Sequence, residues 1–232
     1  MYRYSIYTLF LLLLVANSAS SQTAEEVIQQ IRTKLEKVND YEAKGRMKTN
    51  VTFIKIPIAN VTVYFKRPDK LRIKNDKGMS FVPKGTVNLN LGSLFTTGSN
   101  FDIIDVGKES GSNLRIIKML PREENADIVL STLYIDEQKM VIKKAKTTTR
   151  ENGTYELDLT YGKYAEYGLA DKVIFSFNTK DYKLPKGVTF DYDDGSDEKI
   201  PDKMKNRKGK VEITYSSYTI NKGVPDAVFN SP

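Results

Sequence analysis

The stretch "ANVTVYFKRPDKLRIKN", residues 59–75, joins an apolar strand face to a positive charge. Val61, Val63 and Phe65 alternate with polar residues and therefore share one face of a predicted strand. Arg67 falls on that same face, and the proline after it ends the strand. An unpaired charge is costly on an apolar face. We therefore expect Arg67 to have a partner.

The alternation seen in this strand recurs along most of the chain. Residues 41–53 alternate apolar or small side chains with polar ones, which predicts a long half-buried strand. Asn152-Gly153 predicts a hairpin turn, because both positions favour positive φ, and residues 155–161 alternate again. Further strands are predicted at 87–91, 101–106, 113–119, 126–136, 172–178, 186–192 and 209–220.

One helix is predicted before the strands. Thr23 is placed to cap it, and Glu26 completes a capping box. An apolar stripe at helical spacing follows, so this helix must lie on an apolar surface. The stripe consists of Val27, Ile28, Ile31, Leu35 and Val38.

The predicted fold is mainly β, because strands with one apolar face form antiparallel sheets covered on one side. About ten such strands tend to curl into a barrel or to split into a sandwich. A second, short helix is expected near 91–99. The predicted helix is too small to fill the concave side of a strongly curved sheet. Two alternatives follow for that side: an internal apolar cavity under a lid, or a barrel filled by its own side chains.

The first 21 residues resemble an export signal. Arg3 precedes an apolar run over residues 6–15, and Ala19 and Ser21 suit a cleavage site before Gln22. The run is short for a membrane-spanning helix, which needs about 20 residues. We predict a cleaved signal peptide over residues 1–21, with an uncleaved anchor as the alternative.

Composition excludes several classes of function. The chain of 232 residues has no Cys and no His, which excludes lipid attachment through a cysteine and His-dependent nucleophilic catalysis. Its net charge of +7 suits an anionic surface, or serves solubility alone. Because export is predicted, nucleic acid is not an expected partner.

Metal and enzyme hypotheses find little support. The acidic residues of 191–198 do not match the EF-hand spacing, because Gly195 at loop position 6 would place Phe190 at position 1. We expect a solvated loop over 193–210, with no metal and no cofactor. Catalysis without His would need a pair of carboxylates facing a cleft. No sequence feature indicates such a pair of carboxylates, so the chain is predicted not to be an enzyme.

The order of these motifs resembles a known family. A capped helix leads into "VNDYEAKGRMKTNV"; "VYFKRPDKLRI", further antiparallel strands and a closing "VPDAVFNSP" follow. This pattern is similar to the periplasmic outer-membrane lipoprotein carriers of the LolA type, over essentially the whole mature chain. The resemblance implies a lipoprotein-carrier domain at 22–232. The chain departs from the family pattern in its greater length and in its lack of Trp.

The resemblance implies an unclosed antiparallel β-barrel whose concave apolar face is covered by a lid that includes the N-terminal helix. It also implies a monomeric periplasmic carrier that takes acylated lipoprotein or lipid from an inner-membrane transporter and passes it to an outer-membrane acceptor. Arg67 matches the arginine that holds the lid closed, and Leu71 matches a position lining the cavity. The full set of expected ligand and lid residues is Arg67, Leu71, Phe65, Val63, Met47, Ile31 and Leu35.

Two alternatives stay open at this point. Arg67 is either a lid or ligand contact, or a surface arginine that is permanently paired or leaves the sheet at the turn. The domain is either a carrier, or a sensory or structural interaction domain of the same fold with a filled cavity and no cargo.

Overall fold

The computed structural model describes residues 22–50, 58–75, 80–81, 101–150, 153–178 and 208–230. Within them, one α-helix precedes eleven strands. The elements are α1 (Ala24–Glu36), β1 (Asp40–Asn50), β2 (Ile58–Lys66), β3 (Lys70–Asn75), β4 (Ser80–Phe81), β5 (Phe101–Lys108), β6 (Arg115–Pro121), β7 (Ile128–Asp136), β8 (Val141–Thr149), β9 (Gly153–Thr160), β10 (Lys172–Asn178) and β11 (Lys208–Ile220). Short 3-10 turns occur at Ala165–Tyr167 and Asp226–Val228.

All eleven strands form one sheet in the order β4-β3-β2-β1-β11-β10-β9-β8-β7-β6-β5. Every neighbouring pair is antiparallel. The first and last long strands, β1 and β11, pair with each other, and strands that are consecutive in the chain extend from them in both directions. Among the described residues, the end strands β4 and β5 do not pair, so the sheet is not closed into a barrel. The predicted fold class is confirmed.

The register places the apolar residues of neighbouring strands side by side on one face. Val63 lies opposite Ala43 on β1 and Ile73 on β3. In the other half of the strand order, and on the same face, Leu157 lies opposite Ala145 on β8 and Phe175 on β10. These side chains are buried, and the same parity continues through the intervening strands. One continuous apolar face therefore crosses the sheet, and we call it the concave face.

The predicted capping box begins α1. The backbone N–H of Glu26 donates to Thr23 Oγ1 at 3.2 Å, and the N–H of Thr23 donates to Glu26 Oε2 at 2.9 Å. Val27, Ile28 and Ile31 are buried against the concave face. Burying side chains of this size stabilises by about 1.5–3 kcal/mol each, so packing holds α1 in place more than helix propensity does.

The predicted hairpin is also present. β8 and β9 pair antiparallel, and Gly153 has a φ of 75°, the conformation that its type of turn requires. The sequence did not predict that the stretch at 59–75 contains two strands, β2 and the return strand β3.

Other predictions fall outside the described residues: the signal peptide at 1–21, the end of the strand at 41–53, the strands at 87–91 and 186–192, the helix near 91–99, and most of the 193–210 loop.

No helix in the described part of the chain is both long and apolar enough to cross a membrane.

Candidate functional site

The concave face carries two apolar clusters. The first cluster joins α1 to strands β6–β10, and the second joins β1, β2, β3 and β11 to Val38 and Leu169. Val63, Phe65, Leu71 and Met47 all lie in the second cluster, whereas Ile31 and Leu35 belong to the first. The structure thus brings six predicted site residues to one face but divides them between two groups.

The helix is closely seated on the first cluster. The cavity that Ile31 and Leu35 share with Met140, Ile142 and Tyr161 has a volume of only about 10 Å³. A space of this size holds one water molecule at most. An acyl chain could therefore enter here only if α1 moved away from the sheet.

Gly168 allows this close seating at the C-terminal half of α1. It has a φ of +67°, and a Cβ at this position would lie 2.8 Å from Leu35 Cδ2. Glycine is the residue that suits a left-handed conformation without a steric penalty. The connection between β9 and β10, which contains Gly168, can therefore lie directly against the helix.

Arg67 reaches the end of α1. Its Nη1 donates to the backbone carbonyl of Glu36 at 3.1 Å, and its Nη2 lies 3.9 Å from Glu36 Oε1. The last carbonyls of a helix lack intrahelical partners and carry partial negative charge, which makes them favourable sites for a guanidinium. The Arg67 side chain is 30% exposed, so it lies at the rim of the concave face.

Two contacts that sequence reasoning missed also hold this end of the helix. Asn221 Nδ2 donates to the carbonyl of Lys37 at 2.7 Å, and its Oδ1 accepts from the N–H of Asn39 at 2.8 Å. Lys34 Nζ donates to the carbonyl of Lys139 in the β7–β8 turn. These partners are backbone groups far away in sequence, so residue patterns contain no signal for them.

A second arginine, also missed, contacts the other end of the helix. Arg115 Nη1 donates to the carbonyl of Gln22 at 2.8 Å, immediately before the capping residue. The same guanidinium binds Asp105 Oδ2 at 2.6 Å and Glu137 Oε1 at 2.8 Å. The hydrogen bond from Arg115 lowers the pKa of Asp105. With its side chain only 8% exposed, Arg115 is the buried counterpart of Arg67.

Aromatic rings line the second cluster. Tyr218 has ring neighbours in Tyr41 at 5.3 Å, Tyr164 at 4.9 Å and Tyr215 at 5.0 Å. Phe65 stacks on Tyr41 at 5.2 Å. Burial raises the pKa of Tyr41 and Tyr215 well above the ordinary value, so both phenols stay neutral and the surface remains uncharged.

The closing segment of the chain lies on the opposite, outer face. Arg72 Nη1 donates to the carbonyls of Val228 and Asn230, both at 2.7 Å, while Lys70 Nζ binds Asp226 at 2.8 Å. This segment therefore joins the outer side of β3, away from the concave face.

The part of the chain that the structure describes contains no group of three or more acidic residues placed to hold a metal ion. The acidic residues at 191–198 lie outside it.

Solved structures place this arrangement among known folds. A domain described as an outer membrane lipoprotein-sorting protein from Vibrio parahaemolyticus matches with a TM-score of 0.54 and 12% identity, over 90% of this chain and 97% of that one. A LolA superfamily protein from Nitrosomonas europaea matches with a TM-score of 0.52 and 11% identity, over 91% and 99%. A DUF1329 family protein from Desulfovibrio piger matches with a TM-score of 0.51 and 10% identity, over 90% and 98%.

An open antiparallel sheet with an N-terminal helix across its concave apolar face thus defines this chain as a protein of LolA-like fold. The resemblance seen in the sequence is confirmed at the level of the fold. No protein-family model matches the chain, and no curated protein matches it either.

Proposed function

We propose that this chain is a periplasmic carrier that binds the acyl chains of lipoproteins, or of lipids, on its concave face and moves them toward the outer membrane. The observation that carries the proposal is the cover on that face. The helix α1 packs on apolar side chains along its length and is joined to the sheet by polar contacts near its two ends, through Arg115 and Arg67. Such a cover can leave the face without breaking any strand pairing.

The energies of cover and cargo are comparable. Burying an acyl chain gains about 0.8 kcal/mol per CH₂, or roughly 10 kcal/mol for twelve carbons. The helix loses roughly 5–9 kcal/mol when Val27, Ile28 and Ile31 leave the apolar face, at about 1.5–3 kcal/mol for each side chain. Binding then depends on a small difference between large terms, which suits cargo that must be released again.

The second cluster offers the acyl chain an apolar surface beside the helix. Val63, Phe65, Leu71 and Met47 would contact the chain there, while Ile31 and Leu35 would exchange their contacts with the sheet for contacts with the cargo. Arg67 would set how readily the helix end is released. No catalytic step and no cofactor enter this function.

Export and partners belong to the same proposal. Residues 1–21 would be a signal peptide cleaved before Gln22, and 22–232 would be the carrier domain, acting as a monomer. An inner-membrane transporter would supply the cargo and an outer-membrane acceptor would receive it. The likeness to a domain described as lipoprotein-sorting supports this assignment.

One observation favours a second candidate, a sensory or structural interaction domain of the same fold without cargo. Protein side chains fill the space beneath α1 so that a cavity of only about 10 Å³ remains there. If α1 stayed closed in the presence of acyl chains, this candidate would replace the carrier.

The test uses the absence of Trp from the chain to introduce a single fluorophore. Tyr167→Trp places it beside the second cluster, and Tyr134→Trp, on the outer face over Lys144, is the matched control. Delipidated protein is titrated with a diacylated peptide whose chains are brominated, because bromine quenches Trp on contact. We expect quenching at position 167 with one-to-one stoichiometry and little change at position 134.

Equal quenching at both positions would indicate nonspecific adsorption and contradict the proposal. Absence of quenching at 167, together with no lipid or lipoprotein bound to protein purified from the periplasm by native mass spectrometry, would favour the domain without cargo.

A further inference from the structure

A groove of about 910 Å³ crosses β2, β1 and β11, and its lining includes Lys44, Arg46 and Lys48. These three side chains alternate along β1 with the buried Ala43 and Met47, so they project from the outer face of the sheet. All three are exposed. Two residues of strand span about 7 Å, so the cations form a row about 14 Å long.

Most neighbours of this row are neutral polar groups, although Lys48 lies directly opposite Glu212 on β11. Arg46 lies directly opposite Asn60 on β2 and Thr214 on β11, and Lys44 lies opposite Thr62. Hydroxyl and amide groups can donate hydrogen bonds to phosphate oxygens beside the positive charges. Cations and neutral donors therefore share one surface.

Acids cancel the charge of the groove only in part. Within the described residues, Glu212 is the one carboxylate in the lining, and it is already paired with Lys172 at 2.9 Å and, less closely, with Lys210 at 4.0 Å. The hydrogen bond from Lys172 lowers the pKa of Glu212. By contrast, Lys44, Arg46 and Lys48 form no ion pair in the described part of the chain, although the charge of Lys48 also helps to lower the pKa of Glu212. The charges of Lys44 and Arg46 are directed at solvent.

A backbone irregularity accompanies the groove. The pairing of β1 with β11 shifts register between Lys44 and Gly45, which forms a bulge. A Cβ on Gly45 would lie 2.7 Å from the Thr214 carbonyl oxygen, so the close approach of the two strands requires glycine. Bulges bend a strand and increase its twist, which gives an otherwise flat sheet face a depression.

We propose that this groove docks the protein on the surface of an anionic lipid bilayer, with Lys44, Arg46 and Lys48 against the lipid phosphates. Three observations favour a bilayer. Lys and Arg extend long flexible stems to a diffuse layer of charge. The row is open to solvent. Ile58, which is 47% exposed at the groove, offers apolar contact at the depth of the headgroups. The surface lies on the face opposite the acyl site, so it goes beyond the carrier proposal.

The experiment measures sedimentation with vesicles of phosphatidylcholine containing 30% phosphatidylglycerol, at several salt concentrations, using the mature chain. Lys44→Ser, Arg46→Ser and Lys48→Ser are combined in one variant. The matched control combines Lys139→Ser, Lys163→Ser and Lys222→Ser, which removes the same charge from exposed positions in turns. Each cation near a bilayer contributes about fivefold, so we expect roughly 100-fold weaker partitioning for the groove variant and less than threefold for the control.

Wild-type binding should weaken with salt and should be absent from pure phosphatidylcholine vesicles. Equal losses in the two triple variants would overturn the proposal, since diffuse charge would then explain the binding. If polyglutamate displaced the protein from vesicles but added vesicles did not, the proposal would also be overturned, and an acidic protein partner would be indicated. If millimolar inorganic phosphate alone inhibited vesicle binding, the groove would be a site for free phosphate instead.

Circular dichroism checks that the groove variant is folded. If it is not, the single change Arg46→Gln, with an expected loss of about fivefold, takes its place. Quenching of Trp at position 167 by brominated acyl chains should be unchanged in the groove variant. A failure of vesicle docking is thereby separated from a failure of the carrier proposal.

Discussion

At the scale of single residues, the two arginines at the ends of α1 differ in burial and therefore in the expected effect of removing them. The Arg67 side chain is 30% exposed, whereas the Arg115 side chain is 8% exposed. Solvent screens a hydrogen bond at the rim, and a buried charge network is costly to disrupt. The two residues can be tested separately, because each has an exposed arginine nearby as a control.

Removing the contact at the C-terminal end should loosen α1 locally. We expect Arg67→Leu to lower the protection of the last turn of α1 in hydrogen exchange by about 1 kcal/mol, because a charge-assisted hydrogen bond to the Glu36 carbonyl is lost. It should also speed the exchange of bound acyl chains. Arg32→Leu is the control, since Arg32 pairs with the same Glu36 at 3.0 Å but stays within the helix. Equal effects of both variants would contradict a tether to the sheet.

Removing the contact at the N-terminal end should affect the whole molecule. We expect Arg115→Met to lower the free energy of unfolding by about 1–2 kcal/mol, because the hydrogen bonds of the buried guanidinium are lost while the Asp105 and Glu137 side chains, 42% and 26% exposed, stay partly hydrated. Urea denaturation measures the change. Arg122→Met breaks an exposed pair between the residue after β6 and Asp102 on β5, and should cost less than about 0.5 kcal/mol. If Arg115→Met lowered the free energy of unfolding no more than Arg122→Met does, the contacts of Arg115 would not stabilise the fold.

At the scale of elements, the contact between α1 and the β9–β10 connection depends on one glycine. We expect Gly168→Ala to destabilise by about 2–3 kcal/mol, because the new methyl group meets Leu35 and the backbone has a positive φ. Gly111→Ala isolates the backbone contribution, since Gly111 has a φ of +85° and nothing within 4 Å of the added atom. It should cost about 1 kcal/mol, as measured by thermal unfolding.

The difference between these two glycine variants measures how firmly α1 is seated. If Gly168→Ala cost no more than Gly111→Ala, the helix would yield freely to the methyl group. That result would favour a readily opened cover over a fixed one.

At the scale of the whole molecule, buried phenols make stability depend on pH in the alkaline range. Burial raises the pKa of Tyr41 in the folded state, while the unfolded value stays near 10. The contribution is fully present below about pH 10 and is lost as pH rises, because only the unfolded chain then releases the proton. Each such tyrosine adds a slope of up to about 1.4 kcal/mol per pH unit.

Tyr41→Phe tests this dependence. We expect the unfolding free energy of the variant to fall less steeply between pH 10 and 11, by about 1 kcal/mol over that unit, because an unfolded phenol with a pKa near 10 is only partly ionised at the start of the interval. Lysine titration is common to both proteins. Urea denaturation at closely spaced pH values measures the slopes. Identical slopes would mean that the Tyr41 phenol ionises in the folded protein.

Much of this molecule was determined by sequence alone, because the signals are local. Thr23 and Glu26 specify the start of α1 through groups three residues apart. Alternation at Val61, Val63 and Phe65 specifies which face of β2 is buried. Gly153 marks the hairpin between β8 and β9. The mainly β class followed from repeated patterns of this kind, whereas the open sheet was expected only from the resemblance to the LolA-type carriers.

Tertiary structure alone decided the long-range features. The pairing of β1 with β11 joins strands from opposite ends of the chain, and its bulge brings Tyr215 and Tyr218 to the same face although alternation would separate them. The sequence indicated that the charge of Arg67, on an apolar strand face, needs a partner. The partner itself, the carbonyl of Glu36, could not be predicted, because every residue has a carbonyl and only the folded chain determines which one lies within reach.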